Sequence, residues 1–304
     1  MDDCGRGWHG LDGALIQRVQ LSDNVKLNVS DDVIKRNILH NIELGLPQIE
    51  AYQPNSRPVA LVGGGSSLNQ TLDELDRCVA EGHSVVALNG AAQWLHARGY
   101  PVHAHFVLDA RPFNVRFVQP AIAGKYFIGS QADPSILAAL KEQQKAVWLF
   151  HGGTVKDFTD DLDRVYGEGR YIIIKAGSTV MLSALSVLRV LGFYRFEIFG
   201  FDSCLLDGHH AYEQPENDSA KRLLLKAGGK VFELHAWMAG QAEDFCKFTK
   251  KFGNLFDIVV HGDGLIAHLI KTMAETGKFN IEEISEDEIW LPQRGACTAR
   301  PRAE

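Results

Sequence analysis

From Pro58 to Val260 the chain alternates short, continuously apolar runs with amphipathic stretches, and this alternation constrains the fold more than any other feature. Val59-Ala60-Leu61-Val62, Ser84 to Leu88, His105 to Leu108, Tyr126 to Ile128, Ala146 to Phe150, Tyr171 to Ile174, Phe196 to Phe199, Lys230 to Leu234 and Asp257 to Val260 read as strands. Most are apolar along their whole length, as strands of a sheet covered on both faces must be. Strands separated by helical periods favour right-handed crossovers, and hence a mostly parallel, doubly wound, Rossmann-like α/β sheet. A TIM barrel is the competing architecture; the irregular strand spacing and a phosphate-loop-like first turn argue against it.

The helices follow the same logic. Ser30-Asp31-Asp32 can cap a helix that aligns Ile34, Ile38 and Ile42, closed by Leu46-Pro47. Leu68, Leu72, Leu75 and Val79 share one face after the first glycine turn, and Ala91 to Arg98 forms another short helix. Thr179 to Leu191 is apolar nearly all round and is expected to be buried. Ala236 to Gly253 aligns Met238, Ala242, Phe245, Thr249 and Phe252, with Glu243 and Lys247 paired on its outer side. This divides the chain into an N-terminal arm and helix (1–57), a Rossmann-like domain (58–275) and a C-terminal tail (276–304).

Composition narrows the function classes. Among 304 residues, 31 Lys and Arg stand against 38 Asp and Glu, a net charge of -7, the wrong sign for broad nucleic-acid binding. No apolar run reaches the length of a membrane span and the first twenty residues lack an apolar signal core, so a cytoplasmic protein is expected. The five cysteines are scattered without a CxxC pair, which supports neither a zinc finger nor a disulfide framework. Cys78 and Cys246 fall at buried helix positions, and Cys204 has no base specified beside it to make it a nucleophile.

Ligands of a doubly wound sheet bind beyond the carboxyl ends of its strands. Five post-strand segments are chemically loaded. Gly63-Gly64-Gly65-Ser66-Ser67 can bring backbone close to a phosphate at a helix start, or form a tight turn with a serine cap. It is neither GxGxxG, since Leu68 holds the last glycine's place, nor a Walker A loop, since no lysine follows. Asn89-Gly90 can cap the next helix or bond a base or sugar. Asp109-Ala110-Arg111-Pro112 is a surface ion pair or a metal or phosphate holder. Gly177-Ser178-Thr179 repeats the small-residue turn, as a second ligand grip or an ordinary cap. Gly200-Phe201-Asp202 leads into a loop carrying Asp207, His209, His210 and Tyr212. There an imidazole can shuttle protons and Asp202 can reach Mg²⁺ through water, unless the loop is simply solvated. Of the adjacent His209 and His210, one is expected in the site and one outside it. A lesser candidate is His261-Gly262-Asp263-Gly264, where Asp263 can serve as a helix cap.

In order, Val62-Gly63-Gly64-Gly65-Ser66-Ser67-Leu68, Ala87-Leu88-Asn89-Gly90, Leu108-Asp109-Ala110-Arg111-Pro112, Ala176-Gly177-Ser178-Thr179 and Phe199-Gly200-Phe201-Asp202 resemble the MptE-like family. That family includes archaeal 6-hydroxymethylpterin diphosphokinases, and its motif order is similar to that of motility-accessory-factor proteins and, more remotely, bacterial sialyltransferases. The resemblance spans roughly residues 30 to 270, and the order of the motifs carries it. The family's loop is often Gly-x-Gly-Pro-Ser-Leu; Ser66 stands here in place of the proline.

The resemblance implies group transfer from a nucleotide donor to a small molecule. Gly63 to Ser67 would cradle phosphate, while Asn89, Gly90, Gly177, Ser178 and Thr179 would position the nucleoside. As a diphosphokinase, the first reading, the protein would use ATP and Mg²⁺ held by Asp109 and catalytic Asp202, with a base near His209 or His210 taking the hydroxyl proton. As a glycosyltransferase it would use a nucleotide-activated sugar, with His209 or His210 taking the acceptor's hydroxyl proton. A non-catalytic nucleotide-binding module is the reading from another class, and a homo-oligomer is open.

Overall fold

A strand apolar on both faces is stable only inside a sheet with helices above and below it, and the computed structural model has that arrangement. It describes residues 29–153, 158–174, 179–206, 209–214, 222–276 and 281–283. The expected arm before Val29, the tail beyond Glu283, Cys4, Cys297, Asp207, Gly208, Gly177 and Ser178 lie outside these residues.

The chain runs α1 (Asp31–Glu43), β1 (Val59–Val62), a 3-10 turn (Ser66–Gln70), α2 (Leu72–Ala80), β2 (Ser84–Leu88), α3 (Ala91–Ala97) and β3 (Ala104–Val107). A second 3-10 segment (Pro112–Val118) precedes β4 (Lys125–Gly129), α4 (Pro134–Glu142), β5 (Val147–Gly152), α5 (Thr159–Tyr166), β6 (Ile173–Ile174) and α6 (Val180–Val190). Then come β7 (Arg195–Phe199), β8 (Arg222–Ala227), β9 (Lys230–His235), α7 (Ala236–Phe252), β10 (Asp257–Val260), α8 (Leu265–Thr276) and β11 (Ile281–Glu283).

The main sheet has eight strands in the order β10-β7-β1-β2-β3-β4-β5-β6, and every pairing in it is parallel. It is open, with β10 and β6 at its edges, so the barrel alternative is excluded. The chain winds outward from β1 to β6, then crosses back to lay β7 against the other side of β1. The order therefore reverses between β1 and β7, which is where a doubly wound sheet opens a crevice.

Helices cover both faces. One core joins Val59, Leu61, Val86, Phe106, Phe150 and Ile198 to α6, α7 and α8; the other face packs Ala60, Val62, Val85 and Phe199 against α2 and α3. As expected from its all-round apolarity, α6 is deeply buried, with Met181, Leu182, Ala184, Leu185, Val187 and Leu188 at 3% exposure or less. Its start is capped by Thr179, whose Oγ1 accepts from the Leu182 N–H at 3.1 Å. The helix α1 seats Ile38 and Ile42 on Leu162 of α5, and its buried Asn37 and Asn41 donate to backbone carbonyls of Ala110, Gln131, Ser130 and Ala132. The Glu243–Lys247 pair forms, but Glu243 is nearly buried rather than outward.

Two elements depart from the sequence reading. The helix expected through Leu68, Leu72, Leu75 and Val79 is interrupted: a 3-10 turn ends at Gln70 and α2 starts after Thr71. The run Lys230 to Leu234 does not join the parallel sheet. It pairs antiparallel with β8 in a small sheet of order β11-β8-β9. The cause is local: Gly228 and Gly229 both take positive φ, +51° and +83°, and a Gly-Gly pair of that hand is a hairpin turn.

Candidate functional site

Five sequence segments were expected beyond the strand ends, and the structure gathers three of them at the β1/β7 reversal. After β1 the chain turns at Gly63 to Ser67, and after β7 at Gly200-Phe201-Asp202. The two turns are pressed together. A Cβ on Gly63 would lie 2.6 Å from the Gly200 carbonyl oxygen, and one on Gly200, whose φ is +61°, would lie 2.7 Å from the Gly63 carbonyl. Glycine is required here by backbone meeting backbone.

Most of the first turn's N–H groups are committed within the protein. Gly63 donates to the Phe199 carbonyl at 2.8 Å, Gly65 to Gly200 at 2.9 Å, Leu68 to Gly65 at 3.2 Å, and Ser67 to Asp202 Oδ2 at 2.8 Å. Of the backbone N–H groups in this turn, those of Gly64 and Ser66 make no such bond among the described residues.

Asp202 is 3% exposed, and both its oxygens face Ser67: Oδ2 accepts from the backbone N–H and Oδ1 from the hydroxyl. Burial pushes its pKa up, and the Ser67 bonds oppose that. Two glycines after β10 make room for this pair. A Cβ on Gly264 would lie 2.6 Å from Asp202 Cβ, and one on Gly262, with φ +98°, would lie 2.4 Å from Ser67 Cβ. The segment read as a lesser candidate therefore forms the floor beneath the loop. Asp263 meets Lys230 through its carbonyl, at 3.1 Å.

The third segment follows β2. Asn89 sits in the left-handed region at φ +47°, and so does Ser203 at φ +49°; only one other non-glycine among the described residues, Gln144, does so. Such backbone costs on the order of 1–3 kcal/mol and concentrates at functional sites. Asn89 does not cap α3 with its side chain. Its Oδ1 is buried without a hydrogen-bond partner, as is the hydroxyl of Ser203. A buried acceptor without a donor can be satisfied by a bound water or by a ligand's hydrogen-bond donor.

Residues His209 to Tyr212 lie across these turns. The Ala211 N–H donates to the Gly64 carbonyl at 3.2 Å, Asn69 reaches the Ala211 carbonyl at 3.4 Å, and the Ser66 hydroxyl donates to the His209 carbonyl. The Tyr212 ring fills the space over two glycines: a Cβ on Gly64 would lie 2.5 Å from its hydroxyl, and one on Gly90 would lie 2.8 Å from its ring. Of the two histidines, His209 is exposed, while His210 is half-buried and stacks on Trp237 at 6.5 Å, with His235 on Trp237 at 5.8 Å.

The other expected site residues stand differently. Asp109 receives the Arg111 guanidinium on both oxygens and the Arg111 N–H at 2.9 Å, and Arg111 lies over Phe113. Thr179 is spent as the α6 cap. Cys204 is buried, accepts from Leu265 at 3.3 Å and has its thiol pushed up to about 12 by burial, so it is inert as expected. Cys78 and Cys246 are buried thiols too.

Whether Asp109 and Asp202 suit Mg²⁺ follows from these bonds. Each carboxylate is turned onto a protein donor, and among the described residues no three His, Cys, Asp or Glu side chains converge. That donor set does not fit an ion held by the protein itself. The sequence reading named Tyr212 without its seat over Gly64 and Gly90, and it missed the orphaned Ser203 and His105 beneath Asn89. Gly262 and Gly264 of the β10 turn carried a legible signal and were read as part of the lesser candidate.

The same fold occurs in the MAf glycosyltransferase of Magnetospirillum magneticum AMB-1, with a TM-score of 0.58 at 14% sequence identity over 78% of this chain. This chain spans 38% of that longer protein's length. No curated protein matches it in sequence. Among the described residues, no helix is long and apolar enough to cross a membrane. A family model does match, over residues 34–208, which takes in the turns after β1, β2, β3 and β7 and ends just before His209. With more than half its length matched, the chain belongs to the 6-hydroxymethylpterin diphosphokinase MptE-like family.

Proposed function

We propose that the protein is a nucleotide-dependent group transferase whose donor lies across the β1/β7 reversal, and that the group transferred is a sugar. The observation that carries the nucleotide is Asn89: a strained residue at the tip of β2 with a buried acceptor lacking a donor. In Rossmann-like folds that position meets the ribose. A sugar hydroxyl or an exocyclic amine supplies the missing hydrogen, while Gly64 and Ser66 offer N–H groups to phosphate.

Sugar transfer is favoured over diphosphate transfer by the state of the carboxylates. Phosphoryl chemistry on ATP relies on divalent-metal clamping, and Asp109 and Asp202 are occupied by Arg111 and Ser67. Departure of a sugar from a nucleotide needs charge stabilisation at the leaving phosphate and a base for the acceptor hydroxyl. We assign the base to His210, whose ring is placed by stacking on Trp237, rather than to exposed His209. The diphosphokinase reading is supported by the family's description.

A thermal-shift titration with ATP, GTP, CMP, UDP and GDP, each with and without Mg²⁺, tests this. A ligand at a hundred times its Kd stabilises by about 2.7 kcal/mol. Metal-independent stabilisation by CMP, UDP or GDP is the expected result. Stabilisation by ATP that requires Mg²⁺ would restore the diphosphokinase. No response to any nucleotide would overturn the proposal.

A further inference from the structure

Beneath Asn89 lies a histidine with no solvent exposure at all. His105 is on β3, in register with Ala87 of β2, and its ring packs against Tyr126 at 5.7 Å. Its Nε2 lies 2.7 Å from the Asn89 carbonyl oxygen. A carbonyl can only accept, so Nε2 carries the hydrogen and Nδ1 bears a lone pair. That lone pair is buried without a partner. Tyr126 is itself immobilised, fully buried with its hydroxyl accepting from the Ala123 N–H at 2.8 Å, so the imidazole has a rigid wall on one side.

The Asn89 N–H is held separately, by the Phe106 carbonyl at 2.9 Å. The Asn89 carbonyl also accepts from the Ala92 N–H at 3.4 Å, so of the three bonds to the Asn89 backbone the two shortest come from adjacent residues of β3, one from main chain and one from the imidazole. Asparagine tolerates φ +47° better than most residues, but the ordinary right-handed and extended regions remain open to it when the hold on its carbonyl is weakened. Leaving Nδ1 orphaned is a cost that a leucine in the same place would not incur. A residue kept in that position despite the cost is expected to do something with its other nitrogen.

We propose that His105 is a positioning residue: it holds the Asn89 carbonyl so that the backbone stays left-handed and Oδ1 stays aimed at the donor nucleotide. The role rests on the nucleotide reading above for its consequence, but not for its mechanics. Burial drives the ring's pKa down to about 4, so the neutral tautomer that makes this bond persists throughout the physiological range.

The test compares H105L, which removes the donor, with H105Q, whose side-chain amide can still donate to the carbonyl. The backbone ¹³C chemical shifts of Asn89 report its φ directly. The wild-type protein and H105Q should show left-handed values, and H105L should not. Affinity for the nucleotide that binds the wild-type protein should fall at least tenfold in H105L and be retained in H105Q. Left-handed Asn89 shifts in H105L would overturn the proposal, and so would unchanged affinity beside a lowered Tm, the signature of a merely structural histidine. If no nucleotide binds the wild-type protein, the nucleotide reading falls and the Asn89 shifts still decide the role of His105.

Discussion

His105 and His151 are both fully buried, on strands separated only by β4, and burial pushes both down to about 4. There the likeness ends. His105 grips a strained backbone carbonyl at the crevice. His151, at the far wing, has no partner for either nitrogen and lies among aromatic rings, 5.6 Å from Tyr166 and 6.5 Å from Tyr171. Burial sets how an imidazole titrates; what its nitrogens meet sets whether it has mechanical work. The same contrast separates the two ends of the sheet's carboxyl edge. Around β1, β2 and β7 polar groups bond backbone, whereas His151 on β5 faces the rings of Tyr166 and Tyr171.

The glycines should break this comparison most sharply. Gly200→Ala combines a positive φ with a clash against the Gly63 carbonyl and should cost about 3 kcal/mol or more. Gly153→Ala, beyond β5, meets nothing closer than 4.0 Å among the described residues and should stay within about 0.5 kcal/mol. Urea denaturation of the two variants measures both, and equal losses would erase the distinction between crevice and wing.

Acid should next expose what the histidines share. Their folded pKa values lie below the 6.5 of the free ring, so the unfolded chain takes up protons first as pH falls. The stability they confer is therefore complete above pH 6.5 and lost on the way down to pH 4. By pH 4.5 each should have withdrawn roughly 2–3 kcal/mol. H151F should recover its share without loss at pH 7.5. H105L should recover its share only after losing about 1 kcal/mol at pH 7.5 with the Asn89 bond. Denaturation midpoints at the two pH values separate these outcomes; identical behaviour of the variants at pH 7.5 would make the histidines equivalent after all.

Asp202→Asn sharpens the picture within the crevice. Keeping its volume but losing an acceptor opposite two Ser67 donors should cost about 2 kcal/mol and abolish nucleotide-induced stabilisation while the chain stays folded. A full nucleotide response in that variant would detach Asp202 from the site. Within the crevice the smallest effect belongs to the rim. The Asp109–Arg111 pair is about one quarter exposed on each side, and Arg111→Gln should cost no more than about 1 kcal/mol, less at high salt. A loss several times larger would mean that the pair shapes the turn after β3 rather than decorating it.

The strand runs were legible because burial on both faces writes itself into consecutive residues: Val59–Val62 is buried throughout, and Ser84–Leu88 is buried beyond its first residue. The hairpin at β8 and β9 was legible as well, through Gly228-Gly229 between two apolar runs, but the reading placed Lys230 to Leu234 with the other strands. Of the site, the turns after β1, β2 and β7 could be named from glycine and asparagine at strand ends. The uses of Asp202 and Asp109 could not, because a carboxylate suits a metal, a cap or a guanidinium equally well until its neighbours are known.

By itself, then, the sequence determined the alternation of strands and helices, the open parallel sheet and the turns at its carboxyl edge, since these depend on periodicity and on residues a few positions apart. Tertiary structure alone decided that Asp202 meets Ser67, 135 positions away, and that the Ser66 hydroxyl meets His209, 143 positions away. It also placed Tyr212 over Gly64 and Gly90, and His105 under Asn89. Local propensity carries no record of such partners. They exist only once the reversal between β1 and β7 has folded the chain back on itself.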